Sequence, residues 1–407
     1  MITLINVSKF NYTNELIKNS NLFVNRSKKY YIKDIFRDYW EDFVKDNSHL
    51  DIRPAVFNNV EKMLTCQTPD LGYNFFECPN CDSFHILFNT CKSRFCNTCG
   101  IKYAKQRANA VSKVMLDIKH RHITFTIPDS IRHYFRRDRR LLNVLFEAVN
   151  QTMKWIAKKH SKKLNYQFGY VLTLHTFGRP LTFNPHIHAL VTEGIIDKNG
   201  KLKHINYFNY KSLRKSFQMT LLNLLHKELG NSFYQEKTKL FKEHEEGFYV
   251  HGPAAKESKK YNSNEKIVNY VLRYTGRPVM AESRILNINY DTNEITYFYE
   301  PHEDDGVLEK DKKGTVFVTE HIYEFIKKLI MHISDDNFKT VRYYGFYSSK
   351  NKTLPKKWIS RSKLNDIKKS SSWRVMIKES FNFDPLICKC GFTMKINLGS
   401  SYYPLRS

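Results

Sequence analysis

No apolar run in this 407-residue sequence reaches the roughly 20 residues needed to span a bilayer. The opening stretch, MITLINVSKFNYTNEL, lacks the basic, apolar and cleavage regions of an export leader. Both absences point to a soluble cytoplasmic protein with no membrane partner. Glycine (15) and proline (12) are scarce and no internal repeat is evident, which excludes collagen-like and low-complexity chains. Acidic residues are outnumbered, 40 against 66 lysines and arginines, and the formal charge of +26 suits a polyanion, most commonly nucleic acid. With 41% hydrophobic and 14% aromatic residues the chain has enough apolar mass for sizeable cores, so disorder is excluded as well.

Cysteine is sparse too, eight residues, but unevenly placed. Six fall between Cys66 and Cys99, and the remaining two are Cys388 and Cys390. In a chain without an export signal, such clustering reads as metal binding rather than disulfides. The stretch CPNCDSFHILFNTCKSRFCNTCG carries two C-x-x-C knuckles, Cys78/Cys81 and Cys96/Cys99. Each knuckle turns two thiolates toward one point, so the pair of knuckles is expected to close one tetrahedral zinc site, structural and without an open position. Cys91, Cys66 and His85 are spare candidates. Cys388 and Cys390 lack a second pair and read as plain thiols. Lys92, Arg94, Lys102, Lys105 and Arg107 surround the cluster, as in a rigid basic module that grips nucleic acid.

Beyond this module, strand-like and helix-like segments alternate, which predicts an α+β or α/β core. IKDIFRDYWEDFVKD has helical spacing, RHITFTIPDS reads as a strand stopped by Pro128, and SIRHYFRRDRRLLNVLFEAVNQTMKWIAKKH reads as one long basic helical stretch. The strands YVLTLHTF and HIHALVTEG flank a turn-like GRPLTFNP. Alternation along a strand puts His186 and His188 on one face. If the two strands form a hairpin, His175 faces that pair, and three imidazoles can hold a divalent ion able to polarise a phosphate oxygen. Asn184 and Glu193 are weaker candidates for an oxygen ligand. In NEKIVNYVLRYTGRP a helix is expected, with Asn262 and Glu265 able to form a capping box and Gly276 and Pro278 a stop, which would put Tyr270 and Tyr274 at i and i+4 on one helix face. A metal-polarised phosphate beside a phenol is a setting for phosphoester transfer onto tyrosine.

Taken together, NPHIH, YVLRYTGRP, the cysteine cluster, HITFTIP, LHTFGRPLTFNPHIHALVTEG and VRYYGFYSS resemble the HUH transposases of rolling-circle insertion sequences, in the two-tyrosine branch with an N-terminal zinc-binding domain. The likeness runs over roughly residues 35 to 395 in the family's order. It implies an α+β HUH nuclease core, a central antiparallel sheet flanked by helices and preceded by a small zinc-binding module. It also implies single-stranded DNA cleavage and rejoining through a 5′-phosphotyrosine, with element ends and target DNA as partners. Carried over, His186 and His188 match the HUH histidines and His175 the histidine of the neighbouring strand. Tyr270 and Tyr274 match the nucleophiles, and Cys78, Cys81, Cys91, Cys96 and Cys99 match the zinc module.

Zn2+ is then structural, Mg2+ or Mn2+ catalytic, and the protein is expected at the bacterial nucleoid. Lys92, Arg94, Arg136, Arg137, Arg273 and Arg277 are the expected DNA contacts. The family often has histidine where this sequence has Asn184, and its tail usually shows C-x-x-C where this one has Cys388-Lys389-Cys390, which argues against a second metal site. The expected division is a helical arm (1–50), a zinc-binding DNA-binding domain (51–112), the nuclease domain (113–300) and a basic accessory region (301–407). Two competing classes are a zinc-dependent regulator without chemistry and a histidine-triad nucleotide hydrolase. The hydrolase pattern wants a third histidine where this chain has Leu190.

Overall fold

A computed structural model describes residues 30–116, 118–160, 166–197, 200–205, 207–252, 278–300, 314–348, 374, 375, 378, 384 and 386–404. The fold is α+β, with antiparallel sheets flanked by helices. Its centre is an antiparallel hairpin of β4 (Gln167–Phe177) and β5 (Phe183–Ile196), the two strands expected around the histidines. β3 (His120–Thr126) pairs with the other edge of β5, β7 (Val250–His251) with β3, and β11 (Val341–Gly345) with β4. β6 (Leu202–His204) extends β5. At Gly345 (φ 58°) the chain bends so close to the carbonyl of Phe168 that no Cβ fits, which brings β11 onto β4.

Strand alternation gives this sheet two different faces. Ile123, Phe125, Leu172, Leu174, Ile187, Ala189 and Val191 lie in one continuous apolar core with helices α4 (Asp129–Arg137), α5 (Leu141–His160) and α6 (Tyr210–Leu229). On α5, Leu142, Leu145, Phe146, Val149, Met153 and Ile156 recur at helical spacing and are all buried. Each such side chain contributes about 1.5–3 kcal/mol on transfer from water. The other face carries the polar residues of the same strands.

The long helical stretch expected from Ser130 to His160 is broken in two at residues 138–140. The Asp138 carboxylate accepts the Arg140 backbone N–H at 2.9 Å and its Nε at 3.0 Å, a local bond that competes with helix continuation.

A second core unites α1 (Ile32–Asp46), α2 (Pro54–Leu64), the three-stranded sheet of β8 (Ile285–Asn289), β9 (Glu294–Tyr299) and β10 (Val316–His321), and α7 (Ile322–Ile330). Leu181, in the tight turn between β4 and β5, is buried in this second core. The Leu181 carbonyl accepts Nε2–H of His332 at 2.9 Å, while the Thr176 hydroxyl donates to Nδ1 at 3.2 Å. Burial lowers His332 to about 4, which keeps it neutral and suits this bonding. The tip of the histidine hairpin is therefore gripped by residues from both ends of the sequence.

The third unit is small: β1 (Tyr73–Glu77), β2 (Phe84–Phe88) and the C-terminal β12 (Lys395–Tyr402) form a sheet in the order β12-β1-β2. α3 (Asn97–Val114) runs from the cysteine cluster toward the central sheet, where Val111, Met115, Leu116 and Ile118 pack on Val171, Leu190 and Val341. No helix among the described residues is long and apolar enough to cross a membrane.

Candidate functional site

The register of the central sheet assembles the polar face row by row. His175 pairs with His186, which pairs with Thr126, while Thr173 pairs with His188, which pairs with Thr124 and, one strand further, His251. Directly paired residues share a face, so His175, His186 and His188 converge as the hairpin requires. Their ligand nitrogens all lie within 4.8 Å of one another.

Hydrogen bonds determine which nitrogens are available. Nδ1 of His186 donates to the carbonyl of Asn184 at 2.7 Å, and Nδ1 of His188 lies 2.8 Å from Nε2 of His122. Both residues therefore aim Nε2 inward, and the two Nε2 atoms are 3.1 Å apart. Two lone pairs so placed repel unless a proton or cation lies between them. Two adjacent ligands at ~2.1 Å on one ion stand about 3 Å apart, so the spacing fits a divalent cation. The buried Oδ1 of Asn184 and Oγ1 of Thr126 have no hydrogen-bond partner among the described residues. Asn184 shares the face of His186 by alternation, and Thr126 is its cross-strand partner. These oxygens add to the polar character that a cation site needs.

His122 escaped sequence reasoning, although its signal was there: it stands at a period-two position of a strand destined to pair with the histidine strand. It acts on His188 rather than on the pocket itself. His122→Ala is expected to weaken divalent-ion binding about 10–100-fold, the usual effect of losing the partner that orients a ligating imidazole. A manganese titration read by the signal of the free ion would measure this, and unchanged affinity would refute the orienting role.

Beside the histidines lies a cavity of about 810 Å³, lined by His175, Lys92, Arg94, Tyr103, Val279 and Tyr343 among others. Arg94 donates to the Thr340 hydroxyl and to the carbonyl of Phe338, and its guanidinium sits 5.5 Å from the centre of the Tyr103 ring. Arg136 and Arg137 are exposed at the end of α4, which packs on the opposite, apolar face. They are not brought together with Lys92 and Arg94. Glu193 is no ligand candidate: it is committed to a buried ion pair with Arg121, Nη2 to Oε1 2.6 Å, on that same far side. Tyr270, Tyr274, Arg273 and Arg277 lie outside the described residues. Their flanks do not: β7 ends at His251 in the row of His188, and the described residues resume at Pro278, followed by Val279 in the wall of the cavity that His175 also lines.

The cysteines pair differently from the sequence expectation. The two C-x-x-C knuckles do not close one site. Cys96 and Cys99 group with Cys66 and Cys91, whereas Cys78 and Cys81 group with Cys388 and Cys390. In the first group the Cys66–Cys99 and Cys91–Cys99 sulfurs are 3.6 and 3.5 Å apart. A disulfide needs about 2.05 Å, whereas four thiolates around zinc at ~2.3 Å stand about 3.8 Å apart. The expectation fails because β1 and β2 form a hairpin that carries the first knuckle away from the second. Nothing local in sequence reports that separation. His85 is not part of either group.

Comparison with known proteins finds transposases. A family model described as "Putative transposase" matches residues 169–353, and one described as "Transposase zinc-binding domain" matches residues 35–127. The chain is 26% identical to the transposase for insertion sequence element IS801 of Pseudomonas savastanoi pv. phaseolicola, over 89% of this chain and 88% of that protein. It is 25% identical to a protein of Sinorhizobium fredii named "Putative transposase y4qJ", over 78% of this chain and 80% of the relative. No solved structure matches the chain.

Proposed function

Because the chain belongs to the IS91-type transposases with an N-terminal zinc-binding domain, we propose that it cuts and rejoins single-stranded DNA through a phosphotyrosine intermediate at the histidine face of the central sheet. The observation that carries this reading is the convergence of His175, His186 and His188, with the inward nitrogens of His186 and His188 3.1 Å apart. His175, His186 and His188 would hold a Mg2+ or Mn2+ ion, with Asn184 and Thr126 as the nearest further oxygens. Such an ion, when bound, polarises a phosphate oxygen and makes phosphorus more electrophilic.

The chain's own residues do the rest. Tyr270 or Tyr274 supplies the phenolic oxygen that attacks phosphorus. One P–O bond forms to tyrosine as the bond to the 3′ oxygen breaks, and the proton lost by the phenol is balanced by the one gained at the freed 3′-hydroxyl. Since one phosphoester replaces another, the step reverses when a 3′-hydroxyl attacks the phosphotyrosine, and a second tyrosine can hold one end while another is cut. Near the two borders of the tyrosine segment, His251 lies in the row of His188 with Thr124 between them and Val279 lines the same cavity as His175, which supports the phenols' access to the histidine face. Lys92 and Arg94 at the cavity wall are suited to a phosphate backbone, and Tyr103 and Tyr343 to base stacking. Zinc at Cys66, Cys91, Cys96 and Cys99 would hold that wall rigid without taking part in chemistry.

Labelled oligonucleotides tiled across the DNA flanking the coding sequence, incubated with protein and manganese, test this on a denaturing gel. The expected product is an SDS-stable adduct whose DNA-linked peptide contains Tyr270 or Tyr274. Retardation on native gels alone, with no adduct from any oligonucleotide, would leave a DNA-binding protein without this chemistry.

A further inference from the structure

We infer that the chain binds a second structural zinc ion, held by Cys78 and Cys81 of the β1–β2 hairpin together with Cys388 and Cys390 of the C-terminal segment, so that the end of the chain is clamped onto its N-terminal module. This goes beyond the proposed reaction and does not depend on it. Cys388 and Cys390 lie outside both ranges matched by the family models.

The sulfurs make the argument. Cys78 and Cys390 are 3.5 Å apart, Cys81 and Cys388 3.6 Å, and Cys81 and Cys390 3.7 Å. None of these pairs is a disulfide, and all eight cysteines of the chain are free thiols. The spacing is that of the edges of a sulfur tetrahedron around zinc, about 3.8 Å. Sulfur–sulfur contacts at this separation offer only weak hydrogen bonds, so four converging cysteines gain little from one another without an ion between them. Both halves also have the backbone of a metal knuckle. The Asn80 amide points at Sγ of Cys78 (3.4 Å), and Gly391 takes the left-handed conformation (φ 88°) while donating to the Cys388 carbonyl at 2.9 Å. A single residue between Cys388 and Cys390 is therefore enough to turn both sulfurs toward Cys81, which overturns the expectation that these two are plain thiols.

The surroundings are built for closure. β12 pairs antiparallel with β1 in the register Phe76 to Ile396 and Glu77 to Lys395. The Asn397 side chain donates to Glu77 at 3.0 Å, and the Tyr403 hydroxyl to Asn74 at 2.6 Å. Phe76, Cys78, Cys388 and Met394 form a small buried cluster of their own. That cluster is too small to hold a separate sheet together by apolar burial alone, which is the usual circumstance in which a structural metal supplies the missing stability. The ligand pairs are more than 300 residues apart in sequence, so this site can fill only after the chain has been synthesised past Cys390. It is also the more accessible of the two: Cys390 is exposed, whereas Cys66, Cys96 and Cys99 are buried. Its zinc should leave first.

Native mass spectrometry of the full chain purified with zinc is expected to show two zinc ions per chain, falling to one in Cys388→Ser/Cys390→Ser. A wild type that carries one zinc and keeps it in this double variant would overturn the proposal. Should the variant fail to fold, alkylation of the wild type decides. Cys78, Cys81, Cys388 and Cys390 are expected to be protected together and to become reactive together on mild chelation, before Cys66, Cys91, Cys96 and Cys99. Free alkylation of Cys388 and Cys390 in the zinc-loaded protein, with Cys78 and Cys81 protected, would equally refute it.

Discussion

His186→Ala is expected to lower formation of the covalent protein–DNA adduct by about a thousandfold or more, at ion concentrations that saturate the wild type. An ion that polarises the scissile phosphate supplies several kcal/mol of transition-state stabilisation, and about 4 kcal/mol corresponds to three decades in rate. Removing His186 takes away one of the two nitrogens that face each other at 3.1 Å, and it leaves the Asn184 carbonyl without its donor. His188 and its bond to His122 stay in place, so the sheet should persist and thermal melting should shift by only a few degrees. The companion variant, Tyr270→Phe/Tyr274→Phe, separates ion binding from nucleophilic attack: its manganese affinity should match the wild type while the adduct disappears. Adduct yields for the two variants, read beside manganese titrations, check both statements. Undiminished cleavage in His186→Ala would place the chemistry elsewhere on the molecule.

Cys96→Ser should cause the largest structural effect. Structural zinc in small modules contributes roughly 10–16 kcal/mol of apparent folding free energy, and a missing thiolate forfeits much of it. Here the loss cannot stay local. Cys66, Cys96 and Cys99 are buried in the same core as Ile35, Phe36, Phe325 and Leu181, the last being the tip of the histidine hairpin. Hydrogen exchange should therefore rise sharply over residues 30–66 and 90–100 and moderately at 176–183, while β3 and the body of β5 stay protected by the separate core on their apolar face. Activity should fall with it, because the turn that aligns His175 with His186 loses its anchor. Exchange indistinguishable from wild type, in a protein shown to be zinc-free, would mean that the four thiols are ordinary core residues.

Much of the site was legible in sequence because it depends on short-range periodicity. Two histidines one residue apart on a strand share a face whatever surrounds them, and a hairpin joining the neighbouring strand by a short turn brings His175 opposite His186 with little freedom to do otherwise. The apolar alternation of β3 and the helical stripe of α5 are local in the same sense. Spacing alone also singled out Cys78, Cys81, Cys96 and Cys99 as ligand candidates, but not Cys388 and Cys390.

Partnerships between distant segments were a different matter. Thiolates carry no label saying which four share an ion, so the nearest knuckles in sequence looked like partners. The β1–β2 hairpin and the return of β12 sorted them into Cys66/Cys91/Cys96/Cys99 and Cys78/Cys81/Cys388/Cys390. His122 became a partner of His188 only when β3 took its place beside β5, and Arg136 and Arg137 were set apart from Lys92 and Arg94 only when α4 packed on the apolar face. Residue chemistry and strand period, which act within a few positions, determined what kinds of group this protein has. Long-range packing, which depends on which apolar faces can bury one another, decided which of those groups meet.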